Sequence, residues 1–104
     1  MNIVNYLSIG SDNVLRLKGL QDDVTGAYVA TATVTASVKD KDDTPVASGI
    51  VCSFVTGSQG EYVGILPEAT VLIENELYTV EVIADDGAGR VRLFVMTAIA
   101  AYTN

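Results

Sequence analysis

The stretch from Tyr28 to Val38, YVATATVTASV, alternates in side-chain character at every step. Tyr28, Ala30, Ala32, Val34, Ala36 and Val38 fall on one side, while Val29, Thr31, Thr33, Thr35 and Ser37 fall on the other. A period of two over that length excludes an amphipathic helix, whose apolar positions recur every three to four residues. Rich in β-branched residues, the stretch predicts a half-buried antiparallel strand. Its inward alanines predict a close approach of the facing layer.

Other segments repeat the pattern. In NVLRLKG, Leu15 and Leu17 oppose Val14, Arg16 and Lys18, and in LYTVEVIAD, Tyr78, Val80, Val82 and Ala84 oppose Thr79 and Glu81. VASGIVCSFVT is nearly continuous in apolar character, as expected of a strand covered on both faces. EYVGIL is short, and Gly64 within it predicts a bend or close backbone packing. GRVRLFVMTAIAAY closes the chain as a last strand. Turn residues separate these runs at Gly10–Asn13, Gln21–Gly26, Lys39–Pro45, Thr56–Gly60 and Asp85–Gly89. The 104 residues have room for a single domain, spanning 1–104. The expectation is an all-β fold, a single antiparallel sandwich of about seven strands, which is the immunoglobulin-like size. Its expected core comprises Leu15, Leu17, Tyr28, Ala32, Val34, Val51, Cys52 and Phe54, with Tyr62, Leu66, Tyr78, Val80, Val82, Leu93 and Val95.

Chemistry is hard to find in this chain. It contains no histidine, so the commonest general base and the most frequent zinc ligand are absent. The single cysteine, Cys52, sits in an apolar run and reads as a small buried residue with no intrachain disulfide partner. The aspartate pairs occupy turn contexts, where solvated turn residues explain them. Neither a catalytic residue nor a cofactor is expected. Calcium is the stronger chemical alternative, with Asp40, Asp42 and Asp43 as candidate ligands, but DKDDTP departs from the loop pattern that hard cations favour. A net charge of −7 argues against nucleic acid as a partner. The N-terminus lacks the basic and apolar regions of a signal peptide, and the run Leu93–Tyr102 is too short to cross a bilayer as a helix.

Two features direct attention to other chains. Hydrophobic residues make up 49% of the sequence and charged ones only 18%, so the chain is expected to bury much surface, partly against further copies of itself. The last segment, LFVMTAIAAYTN, is apolar on both of its alternating faces. A strand of that kind lies between layers or is covered by a neighbour. The expected interaction residues are Ile3, Tyr6, Phe94, Met96, Ile99 and Tyr102. The rival account has the two termini pairing as edge strands within one chain. Tyr78 raises a separate choice: a tyrosine opening the penultimate strand is either a corner tyrosine bonded to upstream backbone or a plain core aromatic.

Three motifs carry a resemblance: Thr25 to Ala36 (TGAYVATATVTA), Gly60 to Pro67 (GEYVGILP) and Tyr78 to Ala84 (YTVEVIA). Spread along nearly the whole chain, they resemble the pattern of small immunoglobulin-like virion proteins of tailed bacteriophages. The resemblance implies a non-enzymatic structural protein, a capsid decoration or cement protein or a head–tail component. It would be assembled in the host cytoplasm onto the virion and would contact other virion proteins without membrane or nucleic acid. The alternative is an immunoglobulin-like binding or adhesion module, calcium-dependent in one version, or a tail or baseplate protein.

Overall fold

A computed structural model describes residues 4–22, 24–87 and 91–102; Ile3, Asp23 and Arg90 lie outside them. Seven strands and no helix occur among the described residues: β1 Val4–Ser8, β2 Asn13–Leu17, β3 Thr33–Lys39, β4 Pro45–Phe54, β5 Tyr62–Leu66, β6 Leu77–Asp85 and β7 Val91–Ala101. The all-β expectation and the strand number agree with this arrangement. All seven belong to one sheet in the order β1-β7-β6-β3-β4-β5-β2. The sheet curls into a nearly closed barrel, with its two edge strands, β1 and β2, lining a common cavity.

The pairing is not uniformly antiparallel. β1 lies parallel to β7, with Leu7 opposite Ala100 and Tyr6 opposite Ile99. The termini therefore pair within one chain, as in the rival account, but only β1 is an edge strand, since β7 lies between β1 and β6.

The curl originates in β4. Ala36 faces Ile50 and Val38 faces Ala47, so two steps along β3 match three along β4; one step from Val38 to Lys39 then matches two, from Ala47 to Pro45. Each extra residue bends the strand and raises its twist. Gly49, at φ +67°, sits inside the first irregularity, in backbone space that a side chain resists. Beyond the bend, Ser53 and Phe54 pair with β5. One strand thus carries the chain from the β1-β7-β6-β3 wall to the β5-β2 wall. This corrects the expectation for VASGIVCSFVT: only Cys52 is buried in β4, and Val51 is 70% exposed. The run is apolar because it passes between walls, not because it is covered on both faces.

The core fills the space between the walls. Val34, Ala36 and Val38 of β3, Tyr78, Val80, Val82 and Ala84 of β6, and Ala98 and Ala100 of β7 meet Leu15, Leu17, Tyr62 and Leu66 of β2 and β5. Of the alanines that the alternation placed inward, Ala36 is buried, Ala32 is half-buried and Ala30 is exposed. Gly64 has the close packing expected of it, since a Cβ there would lie 2.7 Å from Cys52 Sγ.

Two expectations fail in detail. β3 begins at Thr33, and Tyr28 is a half-exposed residue in an isolated bridge to Gln21. The chain bends between them, where the Tyr62 hydroxyl replaces ladder bonds by donating to the Val29 carbonyl at 2.7 Å and accepting from the Ala32 N–H at 3.2 Å. Leu93 and Val95 point outward, each 57% exposed, while Phe94 and Met96 pack against the core. Register decides this: Val80 opposes Met96 and Val82 opposes Phe94, so the buried face of β6 carries those two side chains inward with it.

Candidate interaction surface

The acidic turn between β3 and β4 is explained by its own hydrogen bonds. Asp40 accepts from the backbone N–H groups of Asp42 and Thr44, both at 2.9 Å, which closes an Asx-type turn. Asp43 takes φ +66°, a conformation that aspartate tolerates better than most side chains. Lysines interleave with these acids: Lys39 lies 2.7 Å from Glu81 and 3.9 Å from Asp43, and Lys41 lies 3.3 Å from Glu76. Asp40, Asp42 and Asp43 are therefore brought together as a turn. Among the described residues no three His, Cys, Asp or Glu side chains group in a way that would hold a metal ion.

Cys52 is buried, and burial pushes its thiol above the ordinary value. Tyr78 combines the two readings offered for it: its ring is buried, and its hydroxyl accepts from the Ile73 N–H at 2.8 Å, tying the loop before β6 to the start of that strand. Tyr62 does comparable work at the other side of the core, with its ring edge-on to Phe54 at a centroid distance of 5.6 Å. The long-range role of its hydroxyl carries no local sequence signal, because its partners lie thirty or more residues upstream.

Two features of the described surface involve β1 and β7. The first is the cavity between the sheet edges, about 220 Å³, where β1 at Tyr6 and Leu7 borders β2 at Val14, Leu15 and Arg16 above Val80, Met96 and Ala98. At its closed end the Ser8 N–H donates to Asn13 Oδ1 at 2.8 Å, and Asn13 Nδ2 donates to the Ser8 carbonyl at 3.0 Å. One side chain there joins two strands that are not ladder partners.

The second is the outer face of the β1-β7-β6-β3 wall. Val91, Leu93 and Val95 form an exposed apolar row along β7, with Ile83 opposite Leu93 on β6. Tyr6 and Leu77 flank Ile99 from either side and extend the row, while Thr79 and Thr97 lie between the two groups. Of the expected interaction residues, Tyr6 and Tyr102 are exposed and Ile99 is half-buried beside Tyr6. Phe94 and Met96 belong to the core side, a correction with the register described above as its cause. Ile3 lies outside the described residues. Leu93, Val95 and Ile83 were the residues missed. A signal existed, because Ile83 shares the parity of Thr79 and Glu81 and so had to face outward with them.

Comparison of the chain with protein-family models, curated proteins and solved structures finds no match. No helix among the described residues is long and apolar enough to cross a membrane.

Proposed function

We propose that this chain is a non-enzymatic structural protein of a tailed-phage particle, a capsid decoration or cement protein that acts by covering neighbouring subunits. The observation that carries the reading is the exposed apolar row Val91, Leu93 and Val95 on a chain whose inner face is already filled. Apolar patches of that kind on small domains serve contact with other molecules. The three motifs of the resemblance also occupy structural positions: Val34 and Ala36 in the core, Gly64 under Cys52, and Tyr78 at its corner.

We read the curled sheet as an immunoglobulin-like sandwich bent about β4. Support comes from β6 lying between β3 and β7, from the pairing of β2 with β5, and from the Tyr78 hydroxyl bond back to upstream backbone. A second reading, a loop-borne binding module, draws on a cavity of about 480 Å³ where Asp40, Lys41 and Glu76 meet the exposed Val71 and Ile73.

Mass spectrometry of purified particles tests the first reading. The chain is expected in many copies per particle, in simple ratio to a capsid or neck protein. Particles free of it, from cells that express it, would overturn the proposal. Calcium titration followed by thermal unfolding tests the calcium version of the module, since a cation bound only by the folded state raises its melting temperature.

A further inference from the structure

We propose that the outer face of the β1-β7-β6-β3 wall is a self-association surface, on which a second copy of this chain packs face to face about a two-fold axis. The inference deepens the structural-protein reading, on which it rests for its biological sense, by naming the face and the partner.

The area fits. Tyr6, Leu77, Ile83, Val91, Leu93 and Val95 are each 43–68% exposed, all on this one face. Together they offer on the order of 500 Å² of apolar surface, at the upper end of what a monomer leaves open. A standard interface takes about 800 Å² from each partner, about 65% of it apolar in homodimers, which again asks for about 500 Å² from each side.

The charge selects the occupant. The chain carries 13 acidic residues against 6 basic ones, so two copies repel wherever acidic loops meet. On this face the acids are Glu81, tied to Lys39 at 2.7 Å, and Asp85 at the end of β6, which accepts from the Gly87 N–H at 2.9 Å. Asp40, Asp42, Glu68, Glu74 and Asp86 lie outside the strands. Here two like-charged copies meet with the least electrostatic penalty. A strongly basic partner would instead seek the loops.

The geometry also suits a like partner. Two sheets pack about 10 Å apart with side chains interdigitating. The row Val91, Leu93, Val95 with Ile83 beside it is exposed, and an isologous contact would set this row against its own copy. Thr79 and Thr97, between the two apolar groups, add polar contacts without fixed charge.

The test measures the mass of the purified full chain by sedimentation velocity over about 1–500 µM, spanning the affinities of modest homodimers. Wild type is expected to reach dimer mass within that range, and to dimerise more weakly at low salt because less of the mutual repulsion is then screened. Leu93→Asp is expected to weaken dimerisation about 100-fold or more, as loss of a central apolar contact does. Leu93→Thr with Val95→Thr, which keeps strand preference, is expected to weaken it with an unchanged circular dichroism spectrum should the aspartate variant fold poorly. Val71→Asp, in the loop before β6, is expected to leave dimer mass unchanged. A wild type that stays monomeric throughout overturns the proposal and leaves the face to another partner. Dimerisation that survives both outer-face variants overturns it as well. These measurements use isolated protein, so absence of the chain from particles would defeat the virion reading without touching this one.

Discussion

The two faces of β7 are almost equally apolar, yet they have opposite fates. One face turns Phe94, Met96, Ala98 and Ala100 toward the core, and the other presents Val91, Leu93 and Val95 to the surroundings. Side-chain chemistry does not separate them. Their cross-strand neighbours do: the inner row meets Val82, Val80 and Tyr78, whereas the outer row meets Asp85, Ile83, Glu81 and Thr79. An apolar side chain is buried only when something stands opposite it, so the inner face is satisfied within the chain and the outer face is not.

Four experiments break or sharpen that contrast. The largest effect is expected from Phe94→Ser with Met96→Ser. Removing two large side chains from the core side should cost about 4 kcal/mol or more, read as a drop in the denaturation midpoint. A loss as small as that of a surface change would mean that the inner row is not what holds β7 down.

Next comes Tyr62→Phe. The ring stays, but the Val29 carbonyl and Ala32 N–H lose their shared partner, which should cost about 2 kcal/mol. Hydrogen exchange should speed up at the Ala32 amide well before it does in β6. Equal acceleration in both places would show that the bend before β3 is not held locally.

Leu93→Ser with Val95→Ser should cost the dilute, monomeric chain about 1 kcal/mol or less, since neither side chain is covered. Melting of the dilute protein set beside the Phe94 and Met96 double variant gives the contrast directly. If both pairs destabilise alike, the two faces do not differ as described.

The smallest effect belongs to the polar border of the outer face. The Lys39 amine is raised above its ordinary value of 10.5, first by its hydrogen bond to Glu81 and then by the charges of Asp43 and Glu81. A raised lysine contributes stability that is fully present below its ordinary value and is lost as pH rises through the raised one. Lys39→Met should therefore flatten a small alkaline decline in melting temperature, with no change in its slope from neutrality to about pH 9. A difference in slope that begins near neutrality would assign the decline to other groups.

Much of the fold was legible because alternation is a local property. Val34, Ala36 and Val38, and likewise Tyr78, Val80 and Val82, fell on the face where the structure has them. Tyr78 stood at the start of its strand, where its hydroxyl bond belongs. What escaped the sequence depends on partners far along the chain. For β7 the two parities were visible, but which one faces inward depends on β6. The bend in β4 comes from residues that outnumber their partners on β3, a count that no single segment contains. Tyr28 continued the alternation in letters after the backbone had left the ladder, held by a hydroxyl from β5. The candidate surface is half legible: the sequence points to Tyr6 and Ile99 but puts Leu93 on the core side.

The parallel pairing of β1 with β7 has a consequence for the order in which the protein is made. Of the seven strands, β1 is made first and has its ladder partner in β7, made after the other six. Leu7 must therefore wait for Ala100 while every other strand is synthesised, and the long loop this closes makes the step slow. Until then the edge of β7's future site stays open along β6. A nascent chain stalled shortly before Val91 would have β2 to β6 available to pair and would carry β1 as a loose tail.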